Sequence, residues 1–380
     1  NAVNLPPIAL PIAVQGTGSN VMTGPWSGGS ATFTGTNTAR LFIFNNSLSN
    51  VTGTISFGNS VSAFRFNNRT NDSPCLGSAA TTFDLGTGSA FLYNFTRTNL
   101  VYDLGALAGG PNTTLTGSTN NSGGTTTTYR IGAKGVDSAF AGVISNFADV
   151  VSVLKVGSGT LLLNGKSIYT GSTTVSNGTL GGTGSIASPL TVVPGGTLSP
   201  GAPLGTFTVS NTAALSGSVL MQLNATSNSA LAVTGTITAT GTLVVTNIGP
   251  DIANGTRFQL FNKAVTGFSS TTLPASNPSN TSTYNWQNNI GTDGSITLLT
   301  GGTNSVNTNP ANITVSVSGG TLTLSWPADH LGWELLSNSV GLTATNMWFP
   351  VSGSTSVTQE STTFDLTKTN VFYRMVYPPQ

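Results

Sequence analysis

The chain has 380 residues, of which 47 are Gly, and its formal net charge is +1 with only 6% charged side chains. Soluble proteins usually carry about 25% charged residues, and nucleic-acid-binding proteins need a basic surface that these charges cannot supply. A membrane helix needs about 18 consecutive apolar residues, and the sequence contains no such run. We therefore expect neither a nucleic-acid partner nor a membrane span.

The rest of the composition predicts an all-β protein. Thr, Val and the aromatic residues favour strands, whereas Ser, Asn and Gly favour turns. Short apolar runs recur along the whole chain, which separates it from disordered polar sequences. The sequence does not begin with Met, and its low charge suits a surface protein. We expect a secreted, extracellular or cell-surface protein whose signal peptide has been removed.

An apolar arm, residues 1–20, comes first in chain order. Its apolar residues alternate, and Pro6, Pro7 and Pro11 favour an edge strand because proline cannot donate a backbone hydrogen bond. The arm can cap the first coil of its own chain, or it can complete a groove in a second copy, as donor strands do in pili. We hypothesise the second arrangement, a head-to-tail homopolymer. The predicted subunit-linking residues are Val3, Leu5, Ile8, Leu10, Ile12 and Val14.

A short internal repeat marks the long middle region, residues 21–303. The threonines of three G-T-L units are Thr160, Thr179 and Thr197, at steps of 19 and 18. Each unit has short strands separated by turns, and so short a coil can bury its apolar side only by stacking on identical neighbours. Strands in such a stack lie about 4.8 Å apart. The repeat predicts a parallel β-solenoid.

One stretch of this region, residues 150–182, resembles the autotransporter-associated β-strand repeat, which occurs in surface proteins of bacteria such as the Verrucomicrobia and Planctomycetes. The hallmark is present in one full copy, and the resemblance covers roughly residues 80–300 and is weaker before residue 80. The resemblance implies a right-handed parallel β-helix in a secreted or surface-displayed bacterial protein. The matching residues are Leu154, Lys155, Gly157, Gly159, Thr160, Leu161, Leu163, Gly165, Tyr169, Thr170, Gly171, Thr173, Val175, Gly178, Thr179 and Leu180.

Two polar positions offer the strongest enzymatic alternative. Asp84 and Asp103 are separated by a step of 19, so one coil would stack their carboxylates, as a glycosidase pair or a cation site requires. Each is equally an ordinary turn residue before Leu-Gly, and we favour that interpretation. His330 is predicted to lie in a surface turn and Cys75 to be a buried small residue. We therefore expect a protein that is not an enzyme, with no catalytic, cofactor-binding or metal-binding residues and no cofactor.

The C-terminal region, residues 304–380, has strands with period-two alternation separated by turns. It predicts a small β-sandwich and resembles a fibronectin-type module, with Trp326, Trp333, Trp348 and Phe372 as its core. Together these regions predict an all-β chain, a β-solenoid followed by a β-sandwich. The expected function is a structural subunit of an extracellular fibre or surface matrix, with copies of itself as the partner. The alternatives are a monomeric adhesin or a β-helix that binds or cleaves glycans. Tyr169, Tyr284 and Trp286 are candidate glycan contacts, but each is as easily a core or edge residue.

Overall fold

A computed structural model describes residues 3–5, 10–13, 18–22, 26–34, 40–59, 63–67, 75–95, 99–119, 124–303, 309–327, 330–363 and 370–377. The chain divides into two compact units. The first contains Asn1–Asp251 and Thr256–Leu299, and the second contains Ile252–Gly255 and Thr300–Gln380. No helix among the described residues has the length and apolarity that a membrane crossing requires.

The first unit is a parallel β-solenoid, as the sequence predicts. One sheet of eleven parallel strands follows most of its length. Its strands, in order, are β2 (Leu10–Ala13), β5 (Ala31–Thr34), β8 (Thr54–Ser56), β10 (Gly77–Asp84), β12 (Leu100–Ala108), β14 (Thr126–Ile131), β17 (Val150–Lys155), β20 (Thr173–Val175), β23 (Leu190–Val192), β26 (Ala213–Leu215) and β29 (Ile237–Ala239).

Two further sheets complete the coils of the N-terminal half. The three-stranded sheet contains β1 (Val3–Leu5), β4 (Trp26–Gly28) and β7 (Asn50–Val51). The six-stranded sheet contains β3 (Gly18–Met22), β6 (Arg40–Phe44), β9 (Ala63–Asn67), β11 (Phe91–Phe95), β13 (Thr114–Ser118) and β16 (Val143–Ser145).

In the C-terminal half, two other parallel sheets take their place, and a three-stranded sheet follows. The seven-stranded sheet contains β15 (Ser138–Phe140), β18 (Thr160–Leu163), β21 (Gly178–Gly182), β24 (Gly196–Pro200), β27 (Ser218–Leu223), β30 (Thr242–Asn247) and β32 (Ser270–Thr272). The four-stranded sheet contains β19 (Lys166–Ser167), β22 (Ser185–Ile186), β25 (Gly205–Val209) and β28 (Ser229–Val233). The last sheet contains β31 (Arg257–Gln259), β33 (Asn285–Asn289) and β34 (Ser295–Thr300).

Ladders of identical or similar apolar side chains form the solenoid core. The G-T-L threonines are in register, Thr160 with Thr179 and Thr179 with Thr197, so each repeat is one coil. The leucines that follow them stack inside, each at most 1% exposed. This ladder is Leu161, Leu180, Leu198, Val219 and Leu243. Stacking buries each apolar side chain between two neighbours, which a single coil cannot do.

Aromatic rings replace the leucines in the N-terminal half of the core. The rings of Phe57 and Phe64 stack with their centroids 3.7 Å apart, and Phe66 stacks on Tyr102 at 5.7 Å. Phe83 in this half lies in register with Leu107, a step of 24, against steps of 19 and 18 between the G-T-L threonines. Coil length therefore varies along the solenoid, and the shorter step of the G-T-L units holds only in part of it.

The second unit contains two three-stranded antiparallel sheets. The first sheet has the order β35 (Thr314–Ser318), β36 (Thr321–Ser325) and β39 (Gln359–Thr363), and the other has the order β38 (Phe349–Pro350), β37 (Glu334–Asn338) and β40 (Phe372–Val376). A 3-10 helix, Ser354–Ser356, precedes β39. The buried core between the sheets is Leu324, Trp326 and Leu335.

The four aromatic residues that the sequence predicts as this core do not all lie there. Trp326 and Trp333 are buried, but Trp348 and Phe372 are only partly buried. The guanidinium of Arg374 lies 4.4 Å from the ring centre of Trp348. The ring of Trp348 is thus covered by an exposed cation. The period-two pattern of the sequence wrongly predicted that Trp348 is a core residue.

Candidate functional site

Four of the six predicted subunit-linking residues belong to the first coil of the solenoid. Val3 and Leu5 lie in β1, which pairs with β4, and Leu10 and Ile12 lie in β2, which pairs with β5. Ile8 and Val14 lie outside the described residues. The arm is therefore continuous with the solenoid in its own chain, which is the arrangement that the capping alternative predicts.

Each of these strands uses one edge for that pairing. β1 and β2 are terminal strands of their sheets, and β3 is the terminal strand of the six-stranded sheet. Within the part of the chain that the structure describes, the outer edges of these three strands have no partner strand. A free strand edge offers unpaired backbone donors and acceptors to another strand. The first coil thus presents a surface on which strand addition can occur.

Asp84 and Asp103 do not form the stacked pair that their spacing predicts. Asp84 is in register with Ala108, a step of 24, and Asp103 is in register with Gly77, a step of 26. The pairing of β10 with β12 shifts register between Ser78 and Thr82, which accounts for the two different steps. One coil here has 24 to 26 residues, so two residues 19 apart occupy different positions in the coil and do not stack.

Each of these carboxylates has a local structural partner. Asp84 Oδ1 accepts a hydrogen bond of 2.9 Å from the backbone N–H of Gly86, as a turn residue does. Asp103 accepts two hydrogen bonds from Arg130 in the next coil, of 2.5 Å from Nε and 2.8 Å from Nη2. The bidentate pair raises the pKa of Arg130, chiefly through its hydrogen bonds. Asp84 is the turn residue that we favoured, and Asp103 is an ion-pair residue between coils.

Lys155, a residue of the repeat hallmark, lies inside the solenoid. Its register partners in the neighbouring coils are Ile131 and Val175, and it is 1% exposed. The ammonium donates to the carbonyl oxygens of Val156 at 2.7 Å, Gly157 at 3.0 Å and Asn177 at 3.1 Å. Burial lowers the pKa of Lys155 to about 8, and the nearby charge of Asp137 opposes this. The lysine satisfies buried turn carbonyls from within.

The hallmark glycines make room for this lysine and for stacked turns. Gly157 has φ +68°, and an added Cβ would lie 2.0 Å from the carbonyl oxygen of Gly132. Gly178 has φ +64°, and an added Cβ would lie 2.8 Å from the Nζ of Lys155. Only glycine combines this backbone conformation with so close an approach. The hallmark therefore encodes a turn that stacks coil upon coil.

A buried polar network, which sequence reasoning missed, surrounds Asp149. Its Oδ1 accepts a hydrogen bond of 2.7 Å from the N–H of Ser118, and its Oδ2 accepts one from the hydroxyl of Thr127. The amide of Asn94 donates to Thr127 Oγ1 at 3.0 Å and to the Tyr129 hydroxyl at 3.2 Å. Burial raises the pKa of Asp149, against the hydrogen bonds that it accepts.

A single glycine admits the Asp149 carboxylate. A Cβ added to Gly117 would lie 1.8 Å from its Oδ1. Gly117 precedes Ser118, whose N–H donates to the same oxygen. The glycine leaves space for the carboxylate, and the next residue supplies its hydrogen bond. The only sequence signal was a G-S pair within β13, which is indistinguishable from the many other Gly-Ser pairs in this chain.

The remaining candidate residues have structural contacts. Tyr169 is buried, with its hydroxyl 2.6 Å from Thr173 Oγ1, and Trp286 Nε1 donates to the carbonyl of Pro274 at 2.8 Å. Cys75 is buried as predicted, and burial raises the pKa of its thiol to about 12.

His330 is buried, which corrects the prediction of a surface turn. Its Nε2 lies 2.7 Å from the carbonyl oxygen of Asn309, and its ring centre lies 5.1 Å from that of Trp333. A polar acceptor and an aromatic neighbour together allow burial of the imidazole. Asp329 lies outside the described residues. Among the described residues there is no group of three or more His, Cys, Asp and Glu side chains that could hold a metal ion.

The second unit contains a cleft of about 750 Å³ between its sheets. Its lining combines apolar side chains with polar ones, most of them Ser and Thr. Phe349 is 58% exposed at this cleft, although it pairs with Ser337 of the central strand β37. The apolar and aromatic residues that line it include Leu322, Leu324, Leu335, Phe349, Val351 and Tyr373.

No family model matches the chain, and no curated protein is significantly similar to it.

Proposed function

We propose that this chain is a non-enzymatic structural subunit of an extracellular bacterial fibre or surface matrix. Copies associate head to tail through the N-terminal arm. The observation that supports this most directly is the one-sided pairing of β1, β2 and β3, which are terminal strands of three parallel sheets. Open strand edges associate with other strands, and a head-to-tail contact that does not close into a ring propagates into a filament.

The use of polar side chains supports a structural role. Asp103 bridges two coils, Asp149 ties strands together inside the core, and Lys155 satisfies turn carbonyls. Lys134 donates to Gly53 O at 2.9 Å and to Thr82 Oγ1 at 3.1 Å, so it also connects separate coils. In this proposal the ionic groups hold the stack together instead of acting on a substrate.

The hallmark residues support membership of the autotransporter-associated repeat family and, with it, surface display. Lys155, Gly157 and Gly178 each have a specific role in one stacked turn. These roles stabilise the stacking of neighbouring coils, which is what a long, rigid structural protein requires. The proposed localisation is therefore outside the cell or on its surface.

Electron microscopy of the native protein, taken from its cell surface or medium, tests this proposal. We expect regular filaments, and we expect them to disappear in a chain that lacks residues 1–15. Circular dichroism of the deletion variant controls for loss of the solenoid, because the β-signal of the remaining coils should persist. Dispersed single rods of the intact protein, or filaments that survive the deletion, would contradict head-to-tail linkage through the arm.

Glycan binding is a second candidate, favoured by three neighbouring aromatic rings, two of them on β11 of the six-stranded sheet and one just after β16. The ring centre of Phe91 lies 5.4 Å from that of Tyr93 and 6.4 Å from that of Phe147. Phe147 is 59% exposed, and exposed aromatic rings offer an apolar surface to the faces of sugars. Affinity electrophoresis in gels that contain polysaccharides tests it. Retardation of the intact chain that is lost in Phe147→Ala would favour glycan binding. Migration of the intact chain without retardation would contradict it.

A further inference from the structure

The outer edges of all four terminal strands of the second unit, β35, β38, β39 and β40, have no partner among the described residues. The edges of β40 and β35 are the ones that carry this inference. β40 pairs with β37 on one side only, and β35 pairs with β36 on one side only. Each is therefore a terminal strand, and each belongs to a different sheet. A strand that added to β40 would extend that sheet from three strands to four.

The inner face of β35 is apolar and uncovered. Val315 is the register partner of Leu324, and Val317 is the partner of Leu322. Directly opposed residues of an antiparallel pair lie on the same face, so both valines face the side on which Leu324 packs against Leu335. Val315 is nevertheless 59% exposed and Val317 60% exposed. Sheets that pack face to face normally bury such residues.

The open edges of β35 and β40 lie on the same side of the unit. The cleft between the sheets is lined by β38 and β39 together with β36, β37 and the start of β40, and no residue of β35 lines it. Only eight residues, 351–358, join β38 to β39, and both strands line the cleft, so β38 and β39 lie at the same edge of the unit. The opposite terminal strands, β40 and β35, therefore lie at the other edge. A strand hydrogen-bonded to β40 there would lie over β35 and cover Val315 and Val317. We call this space, bounded by β35 and β40, the acceptor slot.

The N-terminal arm has the chemistry that the acceptor slot requires. It is uncharged over residues 1–20 and alternates apolar residues with period two, which suits a strand with one face on an apolar surface. Pro11 suits a strand that pairs on one edge only. In its own chain the arm holds an end position, with three residue pairs between β1 and β4 and four between β2 and β5. The arm therefore loses only a few strand pairings when it leaves its own coil to pair with another sheet.

We propose that the acceptor slot of one copy binds the N-terminal arm of a second copy, with β2 adding to the free edge of β40. The inference rests on the proposed function and names the surface that receives the arm. The arm then has two positions. It caps its own solenoid in the free subunit, and it completes the second unit of a neighbour in the fibre. Such an exchange of one element between identical chains is a known route to assembly.

A peptide experiment tests the acceptor slot without depending on fibres. A fluorescein-labelled peptide of residues 3–15 is titrated with the full chain, and fluorescence anisotropy reports binding. We expect saturable binding, weakened at least about tenfold in Val317→Glu, because the substitution places a charge in the apolar contact. Val340→Glu is the matched control, since Val340 is also exposed but lies in the turn after β37. A peptide with Leu10→Asp and Ile12→Asp should not bind.

Three results would overturn the acceptor slot: no binding of the peptide, equal binding by Val317→Glu, or equal loss in Val340→Glu. The fibre is judged separately. Filaments formed by Val317→Glu at the normal level would leave the proposed function intact and remove the acceptor slot. Peptide binding to a chain that never forms filaments would keep the slot and remove the fibre.

A reversible lock tests the exchange itself. Pro11 and Thr32 are register partners on adjacent strands, a spacing that a disulfide can bridge. The variant Pro11→Cys/Thr32→Cys is made with Cys75→Ala, because Cys75 is the only cysteine of the sequence. We expect no filaments from the oxidised chain and filaments after reduction. Filaments from the oxidised chain would mean that the arm stays in its own coil, which would overturn the exchange.

Discussion

The ammonium of Lys155 donates a hydrogen bond to the carbonyl oxygen of Asn177, 3.1 Å away and one coil further along the solenoid. The same group donates to two carbonyls of its own turn. A lysine is thus buried in an apolar ladder between Ile131 and Val175, where an aliphatic residue would be expected. Its charge is tolerated because three acceptors converge on it, and it connects two turns from inside the core.

Replacing this lysine should destabilise the solenoid in a pH-dependent way. Lys155→Met fills the space but leaves the turn carbonyls without their donor, which should lower the free energy of unfolding by about 1–3 kcal/mol. Burial lowers the pKa from 10.5 to about 8, so the unfolded chain binds more protons between these values. The contribution of Lys155 to stability therefore rises as pH increases from about 8 to 10.5.

Urea unfolding of both proteins at several pH values measures this. The buried tyrosines and Cys75 also have raised pKa values, but they contribute equally to the pH dependence of both proteins. Their contribution therefore cancels in the difference between wild type and variant. A difference between wild type and Lys155→Met that stays constant over this range would show that the buried amine keeps an ordinary pKa.

Two glycines separate the effect of backbone conformation from that of crowding. Gly157 and Gly124 both have positive φ, +68° and +75°, but only Gly157 has a close neighbour for an added Cβ. Gly124→Ala should cost about 1 kcal/mol of stability through conformation alone. Gly157→Ala should cost at least about 2 kcal/mol more, because the stacked turns must separate. Thermal unfolding monitored by circular dichroism measures both, and equal losses would show that the turns are not in contact.

Asp149 should tolerate an amide but not an apolar side chain. Asn at this position can still accept from Ser118 N–H and can donate to Thr127, so Asp149→Asn should change stability by less than about 1 kcal/mol at neutral pH. Asp149→Leu leaves both partners buried and unsatisfied and should cost about 2–4 kcal/mol. Chemical unfolding of the two variants gives the values, and similar losses in both would argue against the network.

The pH dependence of the same site has a defined sign. Burial raises the pKa of Asp149, so above the ordinary value of 3.8 the folded state binds this proton more strongly than the unfolded state. The contribution of Asp149 to stability therefore falls as pH rises from 3.8 through the raised pKa. In Asp149→Asn, which has no titrating group at this position, the free energy of unfolding should not show this decline with pH. A decline of equal size in the variant would assign it to other carboxylates.

The thiol of Cys75 should be inert in the folded protein. Burial raises its pKa from 9.0 to about 12, so at pH 8 the thiolate fraction is about 10³-fold smaller than in the unfolded chain. Iodoacetamide should label the protein in urea and leave it unlabelled in buffer, as mass spectrometry can measure. Comparable labelling rates in the two conditions would mean that this coil opens readily.

Spacing predicted stacking only where coil length is constant. Thr160, Thr179 and Thr197 lie in one ladder, as their steps indicate. Asp84 and Asp103 have the same spacing but do not stack, because the coil there is longer and shifts register. A step of 24 residues separates Phe83 from Leu107 and also Val219 from Leu243, so long coils occur with aromatic and with aliphatic cores, and no motif records their length.

The sequence by itself determined the all-β class, the parallel solenoid and the change of character near residue 304. These follow from composition, from the period of the strands and from the need of each short coil to bury its apolar side on a neighbour. Only the tertiary structure decided which coil each polar residue occupies, that Lys155 and Asp149 lie inside, and which strand edges stay open. Those outcomes depend on register and on contacts between residues about 20–30 positions apart, and such pairings are set by packing of the whole stack and not by local preference.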